Sequence, residues 1–281
     1  KKNDSESSAP HQLTLTATPI PRTLSMSVYA NMDVSIIDEL PPGRKPIQTS
    51  CLPLSGKNKL IERILAATKK GSKAYWVCPL IEESENLDLN AVMETYEDLK
   101  GYFSETKIGC LHGKLSAKDK QREIQKFKDS ETSVLVSTTV VEVGVDIPDA
   151  DIMVIENAER FGLAQLHQLR GRIGRGSKES FCILLHKDKI GEISSQRLDV
   201  LVETKNGFKI AEKDLEIRGP GEIMGAQQTG IVPMKYTNLV RDSQYLMGTK
   251  KVAEVICDED PELANQLIER WISGSIAFAD A

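Results

Sequence analysis

The stretch QLHQLRGRIGRG, Gln165 to Gly176, places Arg170, Arg172 and Arg175 within six residues, with glycines between them. Arginine carries a planar, permanently charged fork that matches phosphate oxygens. Glycine lets a backbone approach a ligand closely or turn tightly. Such a cluster can hold a nucleotide, grip nucleic acid, or decorate a solvated helix end. The spacing of LAQLHQL predicts a helix that the glycines end. The order G-x-x-G-x-G is the reverse of a dinucleotide-binding fingerprint and closes a helix instead of opening one, which argues against that fold. A helix C-terminus carries partial negative charge and attracts a cation without any function. That accounts comfortably for one arginine. It accounts poorly for three spaced by glycines.

Two further stretches carry groups suited to chemistry. In VLVSTTVVEVGVDIPDAD an apolar strand ends in Ser137, Thr138 and Thr139, followed by Glu142, Gly144 and Asp146. Hydroxyls and backbone N–H groups at a strand end suit phosphate, and an acidic side chain such as Asp146 can accept from a sugar hydroxyl. A plain polar connection after a core strand reads equally well. In LTLTATPIPRTLS, Thr16 and Thr18 precede two prolines that stop a helix, and an ordinary loop explains this stretch better. A phosphoryl-transfer site needs a phosphate-cradling loop, G-x-x-x-x-G-K-S/T, and an acidic metal ligand. SGKNK and PPGRK place lysine after glycine without that spacing. The chain supplies at most half of such a site.

These groups must be carried by elements that the sequence also announces. Six short β-rich runs, PIQTSCL, KAYWVCPL, TKIGCLHG, TSVLVST, ADIMVIE and SFCILLH, alternate with helical stretches such as KNKLIERILAATKK, LNAVMETYEDLKGYF and SAKDKQREIQKF. In the last, Ser116 stands as N-cap with Asp119 three residues on. The alternation predicts an α/β fold, a parallel sheet with helices on both faces. Ligands of such sheets gather at the carboxyl ends of the strands, and the three motif stretches are expected there. Residues 193–206 read as helix, RGPGEIMGAQQTG as a glycine-rich stretch without periodicity, and the last forty or so residues as a smaller, mainly helical region.

Bulk properties agree with a globular protein. The 281 residues suffice for one large or two ordinary domains. A net charge of -5 does not suggest a protein that coats nucleic acid by charge alone, and it leaves room for a local basic groove. No apolar run approaches the ~20 residues of a membrane span. The five cysteines form no C-x-x-C pair, and several sit in apolar runs, the pattern of buried free thiols in a reducing compartment. The opening KKNDSESSAP reads as a disordered or cut edge.

In order along the chain, TLTATPIPRTL resembles motif III of superfamily 2 helicases, AYWVCPLIEES motif IV, LHGKLSAKDKQ the motif after it, VSTTVVEVGVDIP motif V and QLHQLRGRIGRG motif VI. In the last, Gln168, Gly171, Arg172, Gly174 and Arg175 meet Q-x-x-G-R-x-G-R. DVSIIDELPPGRKPIQT, ENAERFGLAQLHQLRGRIGRG and DLEIRGPGEIMGAQQTG resemble the RecG family of fork helicases, and the transcription-repair coupling factors share much of this. The resemblance runs from residue 12 to about 240 and is weakest over the last forty.

The resemblance implies a RecA-like second motor lobe at 46–190, an edge of the preceding lobe at 1–45, and a translocation motif with helices at 191–281. It implies ATP and Mg2+ held by an upstream lobe, with Arg172, Arg175 and Gln168 catalytic, and Asp146 and Gly144 toward the nucleotide. Thr138, Thr139 and Gly144 would touch the DNA backbone, as would His112, Gly113 and Ser116 at a helix N-terminus, while Arg218, Gly219 and Gln228 would couple closure to movement. Arg170, outside the pattern, reads as a helix-end charge. The implied partners are forked or branched DNA, the upstream lobe, a DNA-recognition domain and single-strand binding protein, in a bacterial cytoplasm near the nucleoid. Two other classes stay open: a module docking a protein such as RNA polymerase or single-strand binding protein through its helical end, and an RNA helicase lobe. The stretch RGPGEIMGAQQTG favours duplex DNA over RNA.

Overall fold

The computed structural model describes residues 13, 15, 35, 37, 39, 45–79, 85–103, 108–138, 150–174, 176, 178–225 and 245–272. All six expected strands form: β1 Gln48–Pro53, β2 Lys73–Val77, β3 Ile108–Leu111, β4 Val134–Ser137, β5 Ala150–Ile155 and β6 Phe181–His186. They pair throughout in parallel, in the order β1-β6-β5-β2-β4-β3. The helices between them are α1 Lys57–Thr68, α2 Glu85–Tyr102, α3 Ala117–Lys128, α4 Leu163–Arg170 and, after β6, α5 Glu192–Glu203. This is the α/β fold with helices on both faces, RecA-like in its parallel arrangement.

The strands read as unbroken apolar runs because both faces are covered. One face buries Tyr75, Val77, Met153, Ile155 and Leu184 against Phe127 of α3, Leu163, Leu166 and Leu169 of α4, and Leu198 and Leu201 of α5. The other buries Ala74, Trp76, Val136, Val154 and Leu185 against Leu60, Ile61 and Ile64 of α1 and Val92 and Leu99 of α2. Alternate residues of β2 thus enter opposite cores, the period of two that a strand dictates.

The amino-edge ends of β2 and β5 are tied by charge. Asp151, 6% exposed, accepts from Ser72 Oγ and the Lys73 N–H, both at 2.9 Å, while Lys73 Nζ donates to the Lys128 carbonyl.

Beyond the sheet, α6 runs Gly207–Gly225, its start capped by Asn206 Oδ1, which accepts from the Phe208 and Lys209 N–H groups. It extends through RGPGEIMG, where the lack of periodicity suggests irregular chain. An interior proline costs a helix one hydrogen bond and crowds the carbonyl four residues back, yet α6 continues past Pro220 to Gly225. Ile210 of α6 joins the core of the first face. α7 Leu246–Glu259 and α8 Pro261–Ile272 pack on each other. Among the described residues, no helix is long and apolar enough to cross a membrane.

Candidate functional site at the two ends of the sheet

Parallel pairing brings the strand ends into register: Leu111 and Val77 both face Ser137, and Val77 also faces Ile155. The loops that leave these strands therefore emerge at one edge. After β3 comes the loop His112–Ser116. It is pinned by Lys120 Nζ on the Gly113 carbonyl at 2.8 Å and by Ser116, whose Oγ accepts from the Asp119 N–H at 3.1 Å and donates to Asp119 Oδ2 at 2.7 Å. The capping at Ser116 is as expected. After β4, the Thr138 N–H donates to the Leu111 carbonyl at 3.3 Å, drawing the two loops together.

Three polar atoms at this place are buried with no hydrogen-bond partner: His112 Nδ1, Ser137 Oγ and Thr138 Oγ1. Buried polar atoms are nearly always paired. Ser137 shares the face of Leu111 and Val77, with which it is in register, whereas His112 joins Ile108 and Cys110 along a groove on the other face. Burial, then the Lys120 and Lys114 ammonium groups, push the His112 imidazole below its ordinary pKa.

Next along the same edge, Glu156 directly succeeds β5 and is 7% exposed. Its Oε2 accepts from Trp76 Nε1 and its Oε1 from Lys57 Nζ, each at 2.7 Å, and Lys57 lies over the Trp76 ring. Sequence reasoning missed this group. Its signal was there: a tryptophan inside a strand buried on both faces must place its N–H somewhere, and ADIMVIE ends in the one nearby carboxylate. Beyond it, Glu159 has both carboxylate oxygens buried without a partner.

The glycine–arginine stretch lies elsewhere. α4 begins near the carboxyl end of β5 and returns the chain, so its C-terminal turn reaches the opposite edge. Gly174 has φ +75, and a Cβ there would meet Ile47 Cγ1 at 3.0 Å and Ser180 Oγ at 3.4 Å. Ile47 and Ser180 immediately precede β1 and β6. The expectation that all three motif stretches sit at carboxyl ends is therefore corrected for this one: it belongs to the amino ends. The reason is geometric. A motif at the end of a crossover helix has crossed the sheet, whereas one directly after a strand has not.

Within it, Gln168 is exposed on α4 and Arg172 is half-buried in the turn after that helix. Arg170 is 4% exposed. Its Nη1 donates to the carbonyls of Leu201 at 2.8 Å and Thr204 at 3.1 Å, and its Nη2 meets His167 Nδ1 at 3.0 Å. The reading of Arg170 as a charge at its own helix end is thus also corrected: it caps the C-terminus of α5. Burial and the Arg170 charge drive the His167 pKa down to about 4, so a neutral ring accepts the guanidinium N–H.

Of the remaining expected positions, Gly113 and Ser116 are exposed in the pinned loop, and Arg218 and Gly219 lie along α6. Thr139, Gly144, Asp146, Arg175 and Gln228, with Thr16 and Thr18, lie outside the described residues. Among the described residues no group of three or more His, Cys, Asp or Glu side chains could hold a metal ion.

Residues 56–177 match the helicase conserved C-terminal domain, and residues 204–270 match the ATP-dependent DNA helicase RecG, domain 3, C-terminal family. The chain is 52% identical over 265 residues to the ATP-dependent DNA helicase RecG of Pasteurella multocida (strain Pm70), covering 94% of this chain and 38% of that protein. It is 47% identical over 282 residues to that of Escherichia coli (strain K12), covering 100% of this chain and 41% of the relative. This chain belongs to the RecG family. A solved structure of RecG bound to a three-way DNA junction is similar as well, with 45% identity and a TM-score of 0.64 over 82% of this chain and 30% of that one. The chain spans about two fifths of the length of these RecG relatives.

Proposed function

We propose that this chain is the second motor lobe of an ATP-dependent double-stranded DNA translocase or helicase that remodels stalled forks and branched DNA in recombination and repair. The observation that carries the reading is the division of polar groups between the two ends of the sheet, on a chain of the RecG family. Unpartnered polar atoms gather at the carboxyl ends of β3 and β4. The glycine–arginine turn gathers at the amino ends of β1 and β6. They lie at opposite ends of the strands and toward opposite edges of the sheet. The same relationship makes the junction DNA of the solved RecG structure the partner proposed here.

In this reading the carboxyl edge takes the DNA backbone through His112, Gly113, Ser116, Thr138, Thr139 and Gly144. Contacts of that kind are largely independent of sequence and sensitive to salt. Arg172 and Arg175 reach the phosphates of ATP held by an upstream lobe, which also supplies the phosphate loop and the ligands of Mg2+. Gln168 links the phosphates to the closed state, and Asp146 takes the ribose. Arg218, Gly219 and Gln228 convert closure into movement, in a division of 46–190 as motor lobe and 191–281 as translocation and helical region. The setting is the bacterial cytoplasm, with single-strand binding protein as a further partner.

Arg175→Ala in the two-lobe protein is expected to lower hydrolysis by about 10³–10⁵ with DNA binding retained, and wild-type turnover in that variant would sink the assignment. The chain alone is expected to hydrolyse no ATP, and the added upstream lobe to restore DNA-stimulated hydrolysis.

A further inference from the structure

We propose that His112 is a charge-switching phosphate ligand, neutral in the free lobe and protonated when a DNA backbone phosphate reaches the end of β3, so that DNA binding takes up a proton. This rests on the reading of the carboxyl edge as the DNA-facing side.

The surroundings of the ring carry the inference. Its Nδ1 is buried and unpartnered, as is the Thr138 hydroxyl at the end of the adjoining strand, whose residue is 2% exposed. Ser137, in register with Leu111 and Val77, turns to the other face of the sheet. The ring is only partly buried, so its other edge is left for a ligand. Two of the three carboxylates that line this groove are engaged, and the third, Glu131, lies before the amino end of β4, whereas His112 follows the carboxyl end of β3. On α3, Asp119 holds Arg122 at 2.9 Å and Glu123 holds Lys126 at 2.7 Å. Across the groove on α2, Glu97 holds Lys100, which also lies over the Tyr96 ring. From β3 the titratable neighbour is Cys110, a thiol that burial keeps neutral, with a pKa raised to about 11. Nearest in charge are two cations, Lys120 and Lys114, which with burial disfavour the imidazolium.

The charges that act on the ring are thus those of cations, and a phosphate would oppose them. Its arrival inverts the balance. A proton moves from solvent to the imidazole, which then donates from both nitrogens, the buried Nδ1 included, with one donor turned to the phosphate. No bond in the DNA changes.

The test is the affinity of the two-lobe protein for a short blunt duplex at fixed ionic strength, from about pH 8 down to about pH 5.5, the range in which histidine titrates. Affinity is expected to rise by up to about tenfold per pH unit between the free and bound imidazole pKa values. His112→Asn should remove that slope, and His112→Lys should bind tightly at every pH. In the chain itself, the NMR titration midpoint of the His112 ring should move upward when duplex is added. A wild-type slope in His112→Asn, or a midpoint that duplex leaves in place, overturns the proposal. The salt dependence of Lys114→Ala separates the two readings. If its slope is shallower while pH dependence persists in His112→Asn, proton linkage alone fails. If its salt slope is unchanged, the DNA-facing edge fails with it.

Discussion

Arg170 is the most exacting place to test the packing of this lobe. Replacing it with alanine removes two hydrogen bonds from a charged donor to the Leu201 and Thr204 carbonyls, and a third contact to His167. Hydrogen bonds to charged groups contribute roughly 1.5–3 kcal/mol each. Against this stands the relief of no longer burying a guanidinium, whose own pKa is pushed down by burial. The difference leaves a loss of about 2–4 kcal/mol. Arg170→Lys keeps the charge but offers a point where the structure uses a fork, so it should recover less than half. Equilibrium denaturation of the chain reads both, with Arg172→Ala, a half-buried neighbour, as the control. A midpoint for Arg170→Ala that matches the Arg172→Ala control would refute the cap. So would full recovery by lysine, because a single ammonium cannot reproduce the geometry.

The same packing sets four other outcomes. His167 has a folded pKa of about 4 against 6.5 for the free side chain, so the unfolded chain binds the extra proton. Stability is complete above about pH 6.5 and is lost as pH falls toward 4, and His167→Asn should flatten that part of a pH–denaturation profile. Gly174→Ala places a Cβ 3.0 Å from Ile47 Cγ1 at φ +75, which should cost about 1–2 kcal/mol. It should also lower ATP turnover of the two-lobe protein more than its DNA affinity. A thiol reagent at neutral pH should label Cys257, which is exposed, well before Cys78 and Cys182, whose pKa values are pushed up to about 12. Glu156→Ala should destabilise more than Glu156→Gln, which keeps an acceptor for Trp76 Nε1, and tryptophan emission reports the difference.

The strands were legible because a sheet covered on both faces turns each strand into a continuous apolar run bounded by polar turns. KAYWV and ADIMVI are both buried end to end. The order of the strands was not legible, since β1 pairs with β6 across more than a hundred residues and no local pattern records that. For the candidate site, the residues were legible and their edges were not. QLHQLRGRIGRG states its own helix end, but which side of the sheet that end reaches depends on how many times the chain has crossed. Arg170 shows the same limit at the scale of one side chain. Its partners are carbonyls 31 and 34 residues away, and carbonyls leave no mark in a sequence. The run of α6 past Pro220 was missed for a local reason: the pattern of apolar residues stops, whereas the helix, once begun at Asn206, continues without it.

The distribution of satisfied and unsatisfied groups separates what holds this lobe together from what it presents. At the amino ends of β2 and β5 the buried charges are met by neutral groups, Asp151 by the Ser72 hydroxyl and the Lys73 N–H, and the Lys73 ammonium by the Lys128 carbonyl. Glu156 does the same between Trp76 and Lys57 inside the carboxyl edge. Those arrangements are complete, and a ligand would have to break them. Thr49 and Thr132 leave single hydroxyls unpaired, each on its own. His112, Ser137 and Thr138 leave three unpaired atoms on adjoining strand ends, beside a loop pinned at both its ends. Leaving one buried polar group unpaired costs roughly 1–3 kcal/mol. Glu159 keeps two buried oxygens unpaired as well, so the deficit is not confined to one place. Under the proposed reading, the atoms of His112 and Thr138 are the ones a partner would complete, with acceptors for cations and donors alike. A phosphate backbone meets that requirement, whereas an apolar surface would leave the deficit as it is.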